Sequence, residues 1–368
     1  MNYRPKTFTC LLGAIRFERA YYHCSHCHHG IFPPDQALRL TCRSLTPAAE
    51  EITTLAGIET SFGRAAERQL LKMAGLRLSE STVERVTEEA GARLGELLGE
   101  GQVFGASEAW TWNLDATGQP CAYVSLDATG ILMQGPEGAK ADGRMVNIGM
   151  VFNPQPRTVD EDVIAKPCDD VRYLAGLLTL EELGEQMRRA AAHVGMEAVP
   201  QWIALSDAGS GFEHFIDVYF PRAVKIVDFR HATDHLGPLS KLLRTEVSSE
   251  DLLSSWCHQL KHEGGLKILE TLEGLHRGRM TNEARAEHES ALTYFRNHAH
   301  KMNYPEYLRR GWYIGTGSIE SACKNVINQR LSQGGMRWGE EGSDGVAHLR
   351  ALFRSEECQW EAFWCNPA

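Results

Sequence analysis

The strongest constraint on the fold of this chain is the order of its apolar runs between residues 122 and 227. Ala122 to Leu126, Ile131 to Gln134 and Val146 to Phe152 have strand length and follow closely, so a meander is their simplest joining. Leu180 to Val194 then changes to helical spacing, Trp202 to Leu205 is a buried strand, Gly211 to Phe220 a helix and Ala223 to Val227 another strand. The resulting order, β-β-β-α-β-α-β, predicts an α/β domain.

That order is the order of a ribonuclease-H-like core, and the flanking sequence divides around it. Residues 1–44 form a small turn-rich module that holds the only Cys-x-x-Cys, and residues 45–108 have helical spacing. Thr46-Pro47 can open a helix there, Ser81-x-x-Glu84 reads as a capping box, and Gly-Leu-Arg-Leu-Ser is a helix-turn-helix connection. The first part of the core covers 109–230, a helical insertion covers 231–307, and 308–368 carries a last helix of the site and a C-terminal helix. The helix from Ser81 to about Leu98 sets Glu84, Glu88 and Glu89 against Arg85 and Arg93, which suits packing in a bundle better than facing phosphates.

Three carboxylates sit in distinctive frames: Asp127 in Tyr-Val-Ser-Leu-Asp-Ala-Thr-Gly, Asp207 in Trp-Ile-Ala-Leu-Ser-Asp-Ala-Gly, and Glu320 in Gly-Thr-Gly-Ser-Ile-Glu-Ser-Ala-Cys-Lys. The first two end apolar runs and the third begins a helix, so separate elements could aim all three at one point. Each taken alone reads equally well as a turn or cap residue. Together they suit magnesium or manganese, which take oxygen ligands and support in-line displacement at phosphorus. Asp115 lies in an echo of the Asp127 frame, Leu-Asp-Ala-Thr-Gly, but its approach is shorter and it reads as a turn residue. Asp228-Phe-Arg-His231 follows the fifth strand; it could position a phosphate or a metal-bound water, or serve as a helix N-cap.

A net charge of -10 argues against indiscriminate nucleic-acid binding, so local patches must decide. Residues 301–338 hold Lys301, Arg309, Arg310, Lys324, Arg330 and Arg337 against Glu306 and Glu320, and their sign suits a DNA backbone. Lys324, Arg330, Arg337 and Trp338 are the expected DNA contacts, with a solvated helix face and a core tryptophan as the alternative. Cys24 and Cys27 supply two of the four ligands of a structural zinc, which Cys10 and Cys42, or His26, His28 and His29, could complete; a zinc-free knuckle is favoured. The scattered cysteines, the lack of a membrane-length apolar run and the polar N-terminus favour a reducing, cytoplasmic location.

Arg19-Ala-Tyr-Tyr-His-Cys-Ser-His-Cys, Leu78-Ser-Glu-Ser-Thr-Val-Glu-Arg-Val-Thr, the Glu320 frame and Gly335-Met-Arg-Trp together resemble the DDE transposases of bacterial insertion sequences, specifically the Kra type related to the Mutator-like group. The resemblance implies that Asp127, Asp207 and Glu320 are the catalytic triad, holding Mg or Mn on a ribonuclease-H-like fold. It also implies that Asp228 and His231 match the Asp-x-x-His signature found after the second acid. DNA, as element ends and target, is then the partner, engaged by a synapsed homodimer near the bacterial nucleoid. Such proteins usually carry further N-terminal sequence, which leaves room for a truncated or degenerate element copy. Two alternatives stand beside strand transfer: a nuclease that cuts without joining, and a catalytically silent DNA-binding remnant or regulator.

Overall fold

The computed structural model describes residues 2–40, 45–105, 108–136, 139–155, 170–207, 209, 211–243, 247–356 and 358–365. Its N-terminal sheet is antiparallel, ordered β1 (Asn2–Cys10), β2 (Gly13–His23) and β3 (Gly30–Ile31). The β1–β2 register runs from Asn2↔Tyr21 to Cys10↔Gly13. Cys10 therefore lies at the hairpin turn and Cys24 and Cys27 beyond the opposite end of β2, about 33 Å along the strand at the rise per residue. Cys10 cannot share an ion with that pair, and Cys42 lies outside the described residues.

A short helix, Pro33–Ala37, and then three longer helical stretches follow. Pro47–Glu59 begins after Thr46 with proline in its first turn, where a missing N–H costs nothing. Phe62–Arg64 passes through a π turn, Ala65–Leu70, into Leu71–Met73. Glu80–Gly99 is capped by Ser79, whose hydroxyl accepts from the Thr82 N–H, so the helix starts ahead of the expected Ser81 box. This last helix crosses Glu340–Arg354 at backbone contact: a Cβ on Gly91 would lie 2.5 Å from the Gly345 Cα. Val83, Val86, Ala90 and Leu94 are buried along its inner face.

The principal sheet is mixed, in the order β6-β5-β4-β7-β8. Central β4 (Cys121–Ile131) pairs antiparallel with β5 (Arg144–Phe152), which pairs antiparallel with β6 (Val171–Gly176). On its other side β4 pairs parallel with β7 (Gln201–Ser206), and β7 parallel with β8 (Val224–Val227). Two strand expectations need correction. Asp127 is inside β4, because pairing with β5 continues through Asp127↔Ile148 to Ile131↔Arg144. The third strand is β6; of Ile131–Gln134 only Ile131 belongs to β4, while Met133 and Gln134 form isolated bridges to Trp338 and Lys140.

Each face of this sheet buries its own core, as alternation along the strands requires. Ala122 and Val124 pack toward Leu180–His193 and Phe212–Tyr219, with Leu183, Met187, Phe215 and Ile216. Cys121 and Tyr123 face the opposite core, with Ile203, Leu205, Ile226, Phe295 and Ile319. Between β8 and Glu320 the described residues form no strand: Ser249–Glu263, Gly265–Glu273 and Asn282–His298 are the longest helices there. Among the described residues, no helix is long and apolar enough to cross a membrane.

Candidate active site

The parallel half of the sheet sets up a row of acids. Pairing reaches Ser125↔Leu205 between β4 and β7, and Ser206↔Val227 between β7 and β8. Carried past these last pairs, the same registers place Asp127 beside Asp207 and Asp207 beside Asp228. The Asp228 N–H continues the ladder, donating to the Ser206 carbonyl at 2.6 Å. By alternation all three belong to the face of Tyr123, Leu205 and Ile226. With strands about 4.8 Å apart, the row is about 10 Å long at the backbone.

Glu320 approaches this row from the short helix Gly317–Ala322. Asp127, Asp207, Asp228, Asp234 and Glu320 line one open cleft of about 330 Å³, together with Arg230, His231 and Thr316. The cleft thus collects every acid expected at the site, and it excludes the echo. Asp115 sits at the far end of β4, where its carboxylate accepts from the Thr117 N–H and hydroxyl, the Gln119 N–H and the Trp312 Nε1. Burial pushes its pKa up, but these donors outweigh burial and hold the group below the usual carboxylate value.

Exposure separates the acids by role. Asp207 and Glu320 are exposed and Asp127 is half-buried, but Asp228 is only 2% exposed. Asp228 Oδ1 accepts from the His231 N–H as the N-cap of Phe229–Asp234, and Oδ2 accepts from both the N–H and the hydroxyl of Thr316. The Thr316 Oγ1 lies 2.8 Å from Asp228 Oδ2 and 3.2 Å from Glu320 Oε1, which puts those two carboxylate oxygens within about 6 Å of each other. One hydroxyl carries one proton, so the closer Asp228 is its better acceptor. Asp228 is therefore a clamp between β8 and the Glu320 helix, the helix N-cap role that the sequence left open, while it also lines the cleft.

The remaining acids also have local donors. Asp127 Oδ1 accepts from the Ala128 N–H at 2.7 Å and Oδ2 from the Cys323 thiol at 3.2 Å, while Asp207 Oδ1 accepts from the Gly209 N–H at 2.8 Å. Burial pushes the Cys323 thiol well up, and the charges of Asp127 and Glu320 push it further. Among the described residues, no three His, Cys, Asp or Glu side chains are drawn together as a closed metal cage. The donor set is nonetheless all oxygen and open to solvent. It suits magnesium, which takes one or two carboxylates and completes its shell with water and phosphate oxygens.

A histidine and tyrosine cluster adjoins the cleft through His231. The ring of Tyr294, from Asn282–His298, stacks on His235 at 3.7 Å, and His231 packs edge-on to His235 at 5.2 Å. Burial, then the charges of Asp228 and Asp207, pushes the Tyr294 phenol up, and its buried hydroxyl has no protein partner among the described residues. Burial followed by the neighbouring His231 lowers His235.

The expected DNA contacts divide. Lys324 is exposed in the turn Cys323–Asn328, four residues after Glu320, and Arg337 is exposed with one Nη1 contact to the Met133 carbonyl at 3.4 Å. Arg330 is 1% exposed; its Nε donates to the Gly57 carbonyl, and its guanidinium lies between the Phe62 and Trp338 rings at 4.7 and 4.6 Å. Burial, with help from Arg350, lowers it to about 10. Trp338 is buried too, with its Nε1 donating to the Leu331 carbonyl. Neither of these two can hold a strand in this fold, so both expectations are corrected. Lys301 is taken by Glu213, and Arg309 and Arg310 both bind Glu306. The basic segment thus presents far less free charge than its composition promises.

Cys24 and Cys27 lie far from this site, exposed at the tip of the N-terminal sheet. Hydrogen bonds from Cys27 and His26 lower the Cys24 thiol. Sequence reasoning missed Thr316 and Arg230, which line the cleft, Cys323, which donates to Asp127, and Tyr294, which packs against His231. Arg230 was legible as the cation inside Asp-Phe-Arg-His, and Thr316 as the hydroxyl before the Glu320 helix. Cys323 and Tyr294 carry no local signal, since only the tertiary fold brings them to the acids. Comparison with protein-family models and with characterised proteins gives no match for this chain.

Proposed function

We propose that the chain is a DNA transposase of the DDE type, cutting and joining DNA at one carboxylate cleft on a ribonuclease-H-like core. The observation that carries this reading is the row of Asp127, Asp207 and Asp228 on adjacent parallel strands, faced by Glu320 across the same cleft. The strand order, three antiparallel strands continued by two parallel ones, supports the ribonuclease-H-like assignment. In this reading the helices between β8 and Glu320 are taken as the helical insertion.

Asp127, Asp207 and Glu320 are the side chains that would hold magnesium or manganese. When bound, such ions would supply Lewis-acid activation of a water or a 3'-hydroxyl and charge stabilisation at the leaving oxygen. Asp228 fixes the Glu320 helix against β8 through Thr316. Arg230, the arginine among the lining residues, offsets the charge of an entering phosphate. His231 presents an imidazole that can exchange a proton at the cleft. Lys324 and Arg337 supply backbone contacts to the DNA.

One observation favours the reading of a nuclease that cuts without joining. Lys301, Arg309, Arg310 and Arg330 are committed to protein partners, which leaves a narrow basic surface for a second duplex. The test incubates the full chain and Asp207→Asn with a supercoiled plasmid carrying the gene and its native flanks, plus a target plasmid, in magnesium or manganese. Transposase action predicts nicked donor and covalently joined product, both lost in Asp207→Asn. Nicking without joining would select the nuclease, and intact plasmid with every metal would refute both.

A further inference from the structure

The helix carrying Glu320 does not continue as an α-helix. Gly317–Ala322 passes into a π turn, Cys323–Asn328, and then into Gln329–Leu331. Two side chains at the ends of that turn bind β4. The Cys323 thiol donates to Asp127 Oδ2 at 3.2 Å, and Asn328 Oδ1 accepts from the Thr129 hydroxyl at 3.1 Å.

The spacings explain why the turn must be π. Asp127 and Thr129 are two apart on a strand, so they share a face. Cys323 and Asn328 are five apart on the helix. At 100° per residue an α-helix would turn them about 140° away from each other, and one would point off the strand. A π turn closes hydrogen bonds five residues apart and brings both back to one side.

The turn's backbone is held from behind. Arg350, itself 1% exposed, donates through Nε to the Val326 carbonyl at 2.6 Å and through Nη2 to the Asn325 carbonyl. Its Nη1 reaches the Ile58 carbonyl and Glu59, which ties the turn to the helix Pro47–Glu59. π turns cost hydrogen-bond quality and cluster at functional sites. Here the irregular turn is gripped on both sides, by β4 in front and a buried guanidinium behind.

We propose that Cys323 and Asn328 are positioning residues of the active site: from the two ends of the π turn they grip β4 through Asp127 and Thr129 and fix the Asp127 carboxylate opposite Glu320. This rests on the transposase reading of the cleft. Cys323 acts as a hydrogen-bond donor and not as a nucleophile, since the thiol is buried. Outer partners that orient a ligating carboxylate typically contribute 10- to 100-fold in affinity or activity, and a thiol, as a weak donor, belongs near the lower limit.

The experiment uses the full chain with Cys323→Ala, Cys323→Ser, Asn328→Ala, Thr129→Val and the Thr129→Val/Asn328→Ala pair. Manganese binding is measured by calorimetry without DNA, and plasmid nicking is followed across a manganese titration. Cys323→Ala should raise the manganese dissociation constant and the nicking midpoint about tenfold, and Cys323→Ser, which keeps a donor, should recover most of that loss. Asn328→Ala also removes the bond from the Ser332 hydroxyl, but the Thr129→Val/Asn328→Ala pair should be no worse than Asn328→Ala alone, because the Thr129–Asn328 bond is shared by both variants. Wild type binding manganese and nicking, with Cys323→Ala indistinguishable from it, would overturn this inference alone. Equal losses in Cys323→Ala and Cys323→Ser would also overturn it, since a donor role predicts rescue. A wild type that neither binds manganese nor nicks would overturn the transposase reading, and this inference with it.

Discussion

Replacing Asp228 should separate structure from chemistry within a single row of acids. Asp228→Ala removes the acceptor for the His231 N–H, the Thr316 N–H and the Thr316 hydroxyl in one step. Loss of the N-cap costs about 1 kcal/mol. Leaving the Thr316 amide buried without a partner adds about 2 kcal/mol. The expected destabilisation is about 3 kcal/mol, which at an m-value near 3 kcal/mol/M moves the urea midpoint down by about 1 M. Thr316→Val deletes only the hydroxyl and should cost about 1 kcal/mol. Asp207 is exposed and, among the described residues, accepts from Gly209, so Asp207→Asn should stay within about 0.5 kcal/mol of wild type. Its nicking should nonetheless fall by about 100-fold or more, the upper range for disturbing a ligand set. Urea denaturation followed by far-UV circular dichroism, run beside the plasmid assay, reads both effects. Equal urea midpoints for Asp228→Ala and Asp207→Asn would refute the division of the row into a clamp and open ligands.

Two further outcomes follow from the corrected residues. Asp115→Asn should leave nicking intact while Asp127→Asn abolishes it. The Asp115 carboxylate is held below its usual value of 3.8, so the stability it contributes is complete above about pH 3.8 and is lost as pH falls through the lower folded value. Asp115→Asn should therefore show a shallower acid loss of the urea midpoint, and an unchanged slope would refute that assignment. For DNA binding, Lys324→Ala and Arg337→Ala should each reduce the slope of log affinity against log salt by about 0.9 on a duplex probe. Arg330→Met should leave that slope alone, and fluorescence anisotropy across a salt series decides; a reduced slope for folded Arg330→Met would count against its buried placement.

The strands β7 and β8 and the helices beside them were legible because they are short apolar runs bounded by turn residues, with one periodicity each. β4 was cut short in the reading because Asp-Ala-Thr-Gly has the composition of a turn. Its neighbour β5 nonetheless continues the pairing over those residues to Arg144, and pairing is a property of two segments that neither declares alone. The same limit explains Arg330 and Trp338. A charge count places both in a basic stretch, but their burial depends on Phe62 and Gly57, more than 250 residues earlier in the chain.

The acids themselves were visible in sequence only as three separate frames, and the fold changes what holds them together. Parallel pairing alone aligns Asp127, Asp207 and Asp228, because strands that start in register end in register. Such a row supplies carboxylates but does not decide which of them remain open to solvent. That is set by what approaches from the next element: Thr316 reaches Asp228 and consumes it, while Cys323 reaches Asp127 with one weak donor and leaves lone pairs free. Both approaches come from the segment around Glu320, so the residues that place the fourth carboxylate also choose which members of the row stay available for a ligand. A substitution in that segment should therefore disturb Asp127 and Glu320 together, and Asp207, which draws its donor from its own loop, least.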